Sequence, residues 1–280
     1  MDQAGPIVFV GPGVMAEAMV SGLIRRAGAA PDQLSMCGPR PERLRELSER
    51  HGVRTNTDTR AEVAAAKTIV LSVKPQSLDD VLQELNGSIP RDALVLSIVA
   101  GARIESLIEG LSHPAVIRSM PNTPAQVGEG ITVWAASPAA SAEQKETARW
   151  ILSACGRELF VENEDYLDMA TAVSGTGPAY VFLFLEAMVD AGVHLGFPRR
   201  IAEELVVQTV QGSVEFYRSS PSHFARLRNQ VTSPGGTSAA ALYYLEKAGF
   251  RTAISRAIWA AYERSIQLGQ GRKRGSIDGA

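Results

Sequence analysis

Eight uncharged residues, Val231-Thr232-Ser233-Pro234-Gly235-Gly236-Thr237-Ser238, combine four hydroxyls with a Pro-Gly-Gly turn and run directly into the apolar segment Ala239-Ala240-Ala241-Leu242. A helix start presents unpaired backbone N–H groups and the positive end of its dipole, so it holds an anion without a lysine or arginine. Glycines let that backbone approach closely. On this reading Ser233, Gly235 and Gly236 bind a carboxylate, and Thr237 or Ser238 brings a hydroxyl to the reacting group. The same residues also read as a connecting loop in which Thr237 or Ser238 caps the next helix. A second stretch, Ser174-Gly175-Thr176-Gly177-Pro178, has the same make-up and puts Pro178 at a plausible first helical position. Two such loops can converge on one small anion.

Both stretches lie in a half of the chain that reads as helix. From about Asn163 no strand run occurs, and helices are expected over 166–172, 179–195, 199–217, 221–230, 238–248 and 250–268. The run 179–195 is apolar nearly all round, which marks a buried helix. Apolar faces on most sides give a small helical unit more to bury than it can bury alone, so a dimer through this half is expected.

No lysine occurs between Lys145 and Lys247, and His51, His113, His194 and His223 are scattered. No His, Cys and carboxylate cluster points to a metal. Glu162, Glu164 and Asp165 read as a solvated hinge or helix start. The chemistry must therefore proceed without a strong general acid or base in the second half.

The first half alternates strands and helices. Strand runs at 7–10, 35–37, 68–73, 94–99, 116–120 and 131–134, with helical patterns between them, predict a Rossmann-like, doubly wound α/β sheet. The expected boundaries are 1–162 for a dinucleotide-binding domain and 163–280 for an all-helical substrate and dimerisation domain. Ligands of such sheets bind at the carboxyl ends of the strands. There stand Gly11-Pro12-Gly13-Val14-Met15-Ala16, a glycine loop of the dinucleotide type between a strand and a helix, and Ser72-Val73-Lys74-Pro75, Ala100 and Asn122-Thr123. These place Gly11, Gly13, Val14, Met15, Ser72, Val73, Lys74, Pro75, Ala100 and Asn122 on the cofactor, although Asn122-Thr123 also reads as pure turn chemistry. Pro12 removes one N–H that would otherwise meet phosphate. No acid ends the second strand, where Cys37-Gly38-Pro39-Arg40 stands. Arg40, with Arg43 behind it, suits a 2′-phosphate and hence NADP, with NAD the alternative. The other reading makes both arginines solvated helix-start residues.

The chain has 280 residues, a net charge of −2 and only two cysteines, Cys37 and Cys155. Its one basic run, Arg272-Lys273-Arg274, does not suit nucleic acid as the main partner. No charged-then-apolar leader precedes Ile7, and no apolar span reads as long enough for a membrane helix. With no disulfide framework, a soluble protein of a reducing, cytoplasmic compartment is expected, without membrane contact.

Along nearly its whole length the chain resembles pyrroline-5-carboxylate reductases. The resemblance rests on Val10–Ala18, Ser72-Val73-Lys74-Pro75-Gln76, Val116–Pro124, Ser174–Tyr180 and Val231–Ser238. It implies reduction of 1-pyrroline-5-carboxylate to L-proline with NADPH or NADH. It also implies a homodimer of intertwined helical domains, often assembled further into rings, with Thr59 near the cofactor's adenosine and Thr176, Thr237 and Ser238 at the substrate. Pro12 and Thr59 depart from the family's usual small residue and Asn, and Thr176 and Ser238 exchange one hydroxyl for another. A protonated imine accepts hydride without a strong enzymic acid, which agrees with the missing lysine and histidine. Hydroxyacid dehydrogenases of similar build use a lysine that this chain lacks. A nucleotide-sensing module of the same fold predicts binding without turnover.

Overall fold

The computed structural model describes residues 5–220 and 222–270. The chain forms two compact units, Met1–Thr176 with Ala260–Ala280, and Gly177–Trp259. The second unit is thus inserted between two stretches of the first. The run Arg272-Lys273-Arg274 and Pro221 lie outside the described residues.

In the first unit, chain order is β1 (Ile7–Val10), α1 (Val14–Arg25), β2 (Leu34–Cys37), α2 (Pro41–His51), β3 (Arg54–Asn56), α3 (Thr59–Val63), β4 (Thr68–Leu71), α4 (Leu78–Leu85), β5 (Leu94–Ser97), α5 (Ile104–Leu111), β6 (Val116–Met120), β7 (Gly130–Ala136), α6 (Ala142–Ser153), β8 (Gly156–Phe160) and α7 (Tyr166–Ala170). The eight strands form one sheet in the order β3-β2-β1-β4-β5-β6-β7-β8. All neighbours are parallel except β6 and β7. The strands β1, β2, β4 and β5 are buried along their whole length, because helices cover both faces. The pleat still sorts them: Ile7 and Phe9 join a core with Met19, Leu23, Leu47 and Ile151, while Val8 and Val10 join one with Val63, Leu85, Leu107 and Leu111. The reading of a doubly wound sheet holds. β3 and β8 escape it because they carry polar or exposed residues instead of an apolar run.

The second unit holds α8 (Gly177–His194), α9 (Arg199–Ser219), α10 (Phe224–Gln230), α11 (Thr237–Lys247) and the start of α12 (Phe250–Gly269). α10 begins at Phe224, where the His223 ring accepts the Ala225 N–H at 3.2 Å. The expectation of a buried 179–195 helix is corrected for the single chain: of α8 only Val189 is buried, and His194 is exposed. Phe182 is 64% exposed, Tyr244 69% and Trp259 60%. Among the described residues of this unit, the buried hydrophobic residues that pack together are Val189, Ala202 and Val206.

The expected loop before α8 does not exist. Tyr166–His194 is one helix of 29 residues, with a π turn at Thr171–Gly175 joining α7 to α8. The Thr176 N–H reaches back five residues to the Thr171 carbonyl at 2.8 Å, so the chain is never released into a loop. By length and composition this helix is long and apolar enough to cross a membrane, although Asp168, Glu186 and Asp190 interrupt its apolar run.

The last turns of α12 belong to the first unit. The Ser265 hydroxyl donates to Asp168 Oδ1 at 2.8 Å. Gly101, at φ 77°, lies so close that a Cβ there would sit 2.8 Å from the Gly269 nitrogen.

Candidate cofactor and substrate sites

The glycine loop is built by close approach. Gly11 has φ 103°, and a Cβ on it would lie 2.8 Å from both Cγ1 and the backbone nitrogen of Val73. Its N–H donates to the Cys37 carbonyl at 2.9 Å, and the Gly13 N–H closes a tight turn over Pro12 onto the Gly11 carbonyl at 2.8 Å. The Ser72 hydroxyl donates to the carbonyls of Val10 and Gly11 at 3.0 and 2.9 Å. Ser72 therefore shapes the loop. Gly13 is the N-cap of α1 and offers no side-chain cap, so the first N–H groups of α1, at Val14, Met15 and Ala16, are left without a side-chain partner. A narrow cradle that side chains would fill, ending on an open helix start, fits a dinucleotide pyrophosphate. Pro12 packs on Gly38, and its carbonyl accepts from Arg43 Nε at 3.4 Å.

The two arginines behind β2 have different surroundings. Arg43 binds Glu17 and, at 2.7 Å, Glu46. Arg40 is the exposed N-cap of α2 and has no ion-pair partner among the described residues. Glu17 also meets Arg50 and, at 3.1 Å, His51. Burial pushes the Glu17 carboxyl up, but hydrogen bonds from His51, Arg43 and Arg50 outweigh it and bring its pKa to about 2. Both cysteines are free and buried, and burial pushes each thiol up to about 11.

Lys74 is exposed and caps the short turn Pro75–Ser77, Ala100 is half-buried after β5, and Thr59 is buried as the first residue of α3. They share the carboxyl side of the sheet with the glycine loop.

At the end of β6, Asn122 Oδ1 accepts the Ile131 N–H at 2.9 Å and Nδ2 donates to the Ser174 carbonyl at 3.2 Å. A Cβ on Gly175 would lie 2.8 Å from Met120 Cε. The π turn thus rests on the carboxyl end of β6. Its hydroxyls all turn back: Thr171 donates to Leu167 at 2.7 Å, Ser174 to Ala170 at 2.9 Å and Thr176 to Thr171 at 2.8 Å. No helix start exists at Ser174–Pro178, so the loop-and-helix-start reading of this stretch is corrected.

The Val231–Ser238 stretch, in the second unit, is a loop as read. Thr232 donates its hydroxyl to the Arg228 carbonyl at 2.7 Å, the Gly236 N–H bonds the Ser233 carbonyl at 3.1 Å, and Gly235 takes φ 73°. The capping reading of Thr237 and Ser238 is corrected. Gly236 is the N-cap of α11, without a side-chain cap, so Thr237 and Ser238 are the first two helical residues. The N–H groups of this first turn stay uncapped, Thr237 is exposed and Ser238 half-buried.

Of the two readings of Glu164 and Asp165, the helix start holds, since Asp165 is the exposed N-cap of α7, whereas Glu164 is not simply solvated. Arg118, buried in β6, binds Glu164 at 2.8 Å and Asp168 at 2.9 Å. Arg103 binds Asp165 at 2.6 Å, and Glu164 accepts the Ile104 N–H at 2.9 Å. The readable signal was an arginine in the middle of an apolar strand, which demands buried acids.

Residues 164–268 match the family model described as pyrroline-5-carboxylate reductase dimerisation, and residues 6–101 match that of NADP oxidoreductase, coenzyme F420-dependent. Among curated relatives, the chain is 43% identical over 262 residues to pyrroline-5-carboxylate reductase of Synechocystis, covering 94% of this chain and 97% of that one. It is 38% identical over 265 residues to that of Pseudomonas aeruginosa, at 94% and 97% coverage. Among solved structures, Plasmodium falciparum pyrroline carboxylate reductase with NADP bound superposes with a TM-score of 0.88 at 32% identity, covering 95% of this chain and 99% of that one. A pyrroline-5-carboxylate reductase of Coxiella burnetii gives 0.86 at 34% identity, with 95% and 98% coverage.

Proposed function

The chain belongs to the pyrroline-5-carboxylate reductase family, and from that premise we propose how its residues divide the reduction of 1-pyrroline-5-carboxylate to L-proline. The enzyme is an NADP-dependent oxidoreductase and a homodimer. NADPH supplies a hydride to the ring carbon doubly bonded to nitrogen, and NADH is the alternative donor. Gly11, Gly13 and the first turn of α1 hold the pyrophosphate, and Val14, Met15, Val73, Lys74, Pro75 and Ala100 border the cofactor along the strand ends. Arg40 meets the 2′-phosphate, and Thr59 lies toward the adenosine.

The open start of α11 carries the substrate reading. Its N–H groups, with Ser233, Gly235 and Gly236, hold the substrate carboxylate, while the Ser238 or Thr237 hydroxyl addresses the ring nitrogen. Such a site orients an imine that is already protonated, and positioning with fixed dipoles replaces a general acid. The expected domain division, 1–162 and 163–280, follows these roles rather than compactness. The apolar helices pair with a second copy instead of a bilayer; the dimers assemble further into rings, and the enzyme works in the cytoplasm.

Replacing Ser238 by alanine tests the assignment. Since Ser238 is not a cap, its loss should leave the melting temperature and NADPH affinity unchanged. A lost hydrogen bond to a charged ligand group lowers kcat/KM about ten- to a hundred-fold. Wild-type kinetics in S238A would leave the carboxylate site on backbone groups alone.

A further inference from the structure

Pro12 leaves no room for a side chain on Gly38. A Cβ on Gly38 would lie 2.4 Å from Pro12 Cδ and 2.9 Å from its Cγ. Gly38 does not take a positive φ, so space and not backbone conformation demands glycine there. Both residues are buried, and a proline ring cannot swing aside as a flexible side chain does. Neither backbone is free to retreat. The Gly11 N–H donates to the Cys37 carbonyl at 2.9 Å, and the Gly38 N–H to the Asn56 carbonyl at 3.4 Å. Arg43 Nε holds the Pro12 carbonyl at 3.4 Å. The nearest obstructing atom, Cδ, stands where any other residue carries its amide hydrogen, so the obstacle is particular to proline.

The end of the second strand is where dinucleotide folds choose their cofactor. An acid there takes the ribose 2′-hydroxyl of NAD, and its charge repels the 2′-phosphate of NADP. In this chain Cys37, the last residue of β2, is buried in the core with Val63 and Leu71. Gly38 is the first position past the strand, and Pro12 denies it a side chain. We propose that Pro12 is a specificity-determining residue, which keeps an acid away from the ribose by occupying the space that its side chain would need. The proposal rests on the reading that the glycine loop and the end of β2 hold the cofactor, and it adds the reason no acid stands there. Arg40 supplies the attraction for the 2′-phosphate and Pro12 the exclusion of its competitor.

The test is a double-mutant cycle of wild type, Pro12→Ala, Gly38→Asp and the two combined. Melting temperature is measured without nucleotide, and NADPH and NADH are titrated by equilibrium binding. Gly38→Asp alone should lower the melting temperature and weaken both cofactors, because its Cβ displaces the glycine loop. Adding Pro12→Ala should restore the melting temperature and shift the ratio of NADPH to NADH affinity about ten-fold or more toward NADH. Pro12→Ala alone should keep the wild-type ratio, since the N–H it restores faces a pyrophosphate that both cofactors share. Gly38→Ala, which adds the Cβ without the charge, should lower the melting temperature in wild type but not beside Pro12→Ala. The proposal is overturned if Gly38→Asp alone melts like wild type and already favours NADH, if Pro12→Ala does not rescue it, or if the rescued pair keeps the wild-type ratio. Binding of neither nucleotide by the wild-type protein would instead sink the cofactor reading itself.

Discussion

Asn122 and Ser174 are 52 residues apart in sequence, yet the Asn122 amide donates to the Ser174 carbonyl at 3.2 Å. In a regular helix that carbonyl would accept the N–H four residues on. Residue 178 is proline, which has none. Asn122 replaces the missing donor, and its oxygen holds Ile131 at 2.9 Å. Both ends of the amide therefore serve backbone, and its influence on the cofactor edge runs through the turn it fixes.

Asn122→Ala leaves a donor and an acceptor without partners at once, which costs about 1–3 kcal/mol for a buried group. Urea denaturation should show that loss, together with a lower kcat/KM. Asn122→Asp, which keeps the acceptor for Ile131 but not the donor for Ser174, should fall between wild type and alanine. Equal stability of all three would remove the clamp from the account.

Arg40 and Arg43 are expected to separate by function. Since Arg43 is held by Glu17 and Glu46, Arg40→Ala should shift the ratio of kcat/KM for NADPH over NADH by about ten-fold or more toward NADH, with little change in melting temperature. Arg43→Ala should chiefly lower the melting temperature. An unmoved cofactor ratio in R40A would make Arg40 surface charge.

Acid should weaken the fold through Glu17. Its carboxyl sits at about 2 in the folded protein, against 4.5 for an ordinary glutamate. A depressed acid stabilises the fold fully above the unfolded value and loses that contribution as pH falls toward the folded one. Melting temperature measured from pH 6 down to about pH 2 should therefore fall more steeply in wild type than in Glu17→Gln. Parallel curves would show that the arginines around Glu17 add nothing net.

The sheet was legible because its buried strands are continuous apolar runs, as in Thr68–Leu71 and Leu94–Ser97. β3, Arg54-Thr55-Asn56, was not, since a three-residue edge strand has no pattern to read. Composition named both hydroxyl-rich stretches but could not tell a loop from a π turn. Gly175, Gly177 and Pro178 look like punctuation, and only the return bond from Thr176 to Thr171 shows the helix continuing. One ion pair was hidden for the opposite reason: Glu164 reads as solvated until the buried Arg118 comes into reach.

Dimerisation should carry most of the second unit's stability. Phe182, Leu183 and Tyr244 are too exposed in one chain for a solvated surface. Phe182→Asp or Tyr244→Asp should shift sedimentation at low micromolar concentration toward monomer and lower the melting temperature. A stable, active wild-type monomer under those conditions would refute the expectation.

The inserted arrangement of the second unit has a consequence for biosynthesis. Asp168 waits 97 residues for Ser265, and Gly101 waits longer for its neighbour Gly269. On the ribosome every strand of the sheet has emerged before the segment that completes its carboxyl edge is translated. The nascent nucleotide-binding unit must therefore remain unfinished while the most apolar helices leave the exit tunnel, the interval in which a growing chain is most prone to aggregate. Premature termination near Trp259 would yield a polypeptide with an intact sheet but no Ser265 to meet Asp168, a natural substrate for chaperones and proteases.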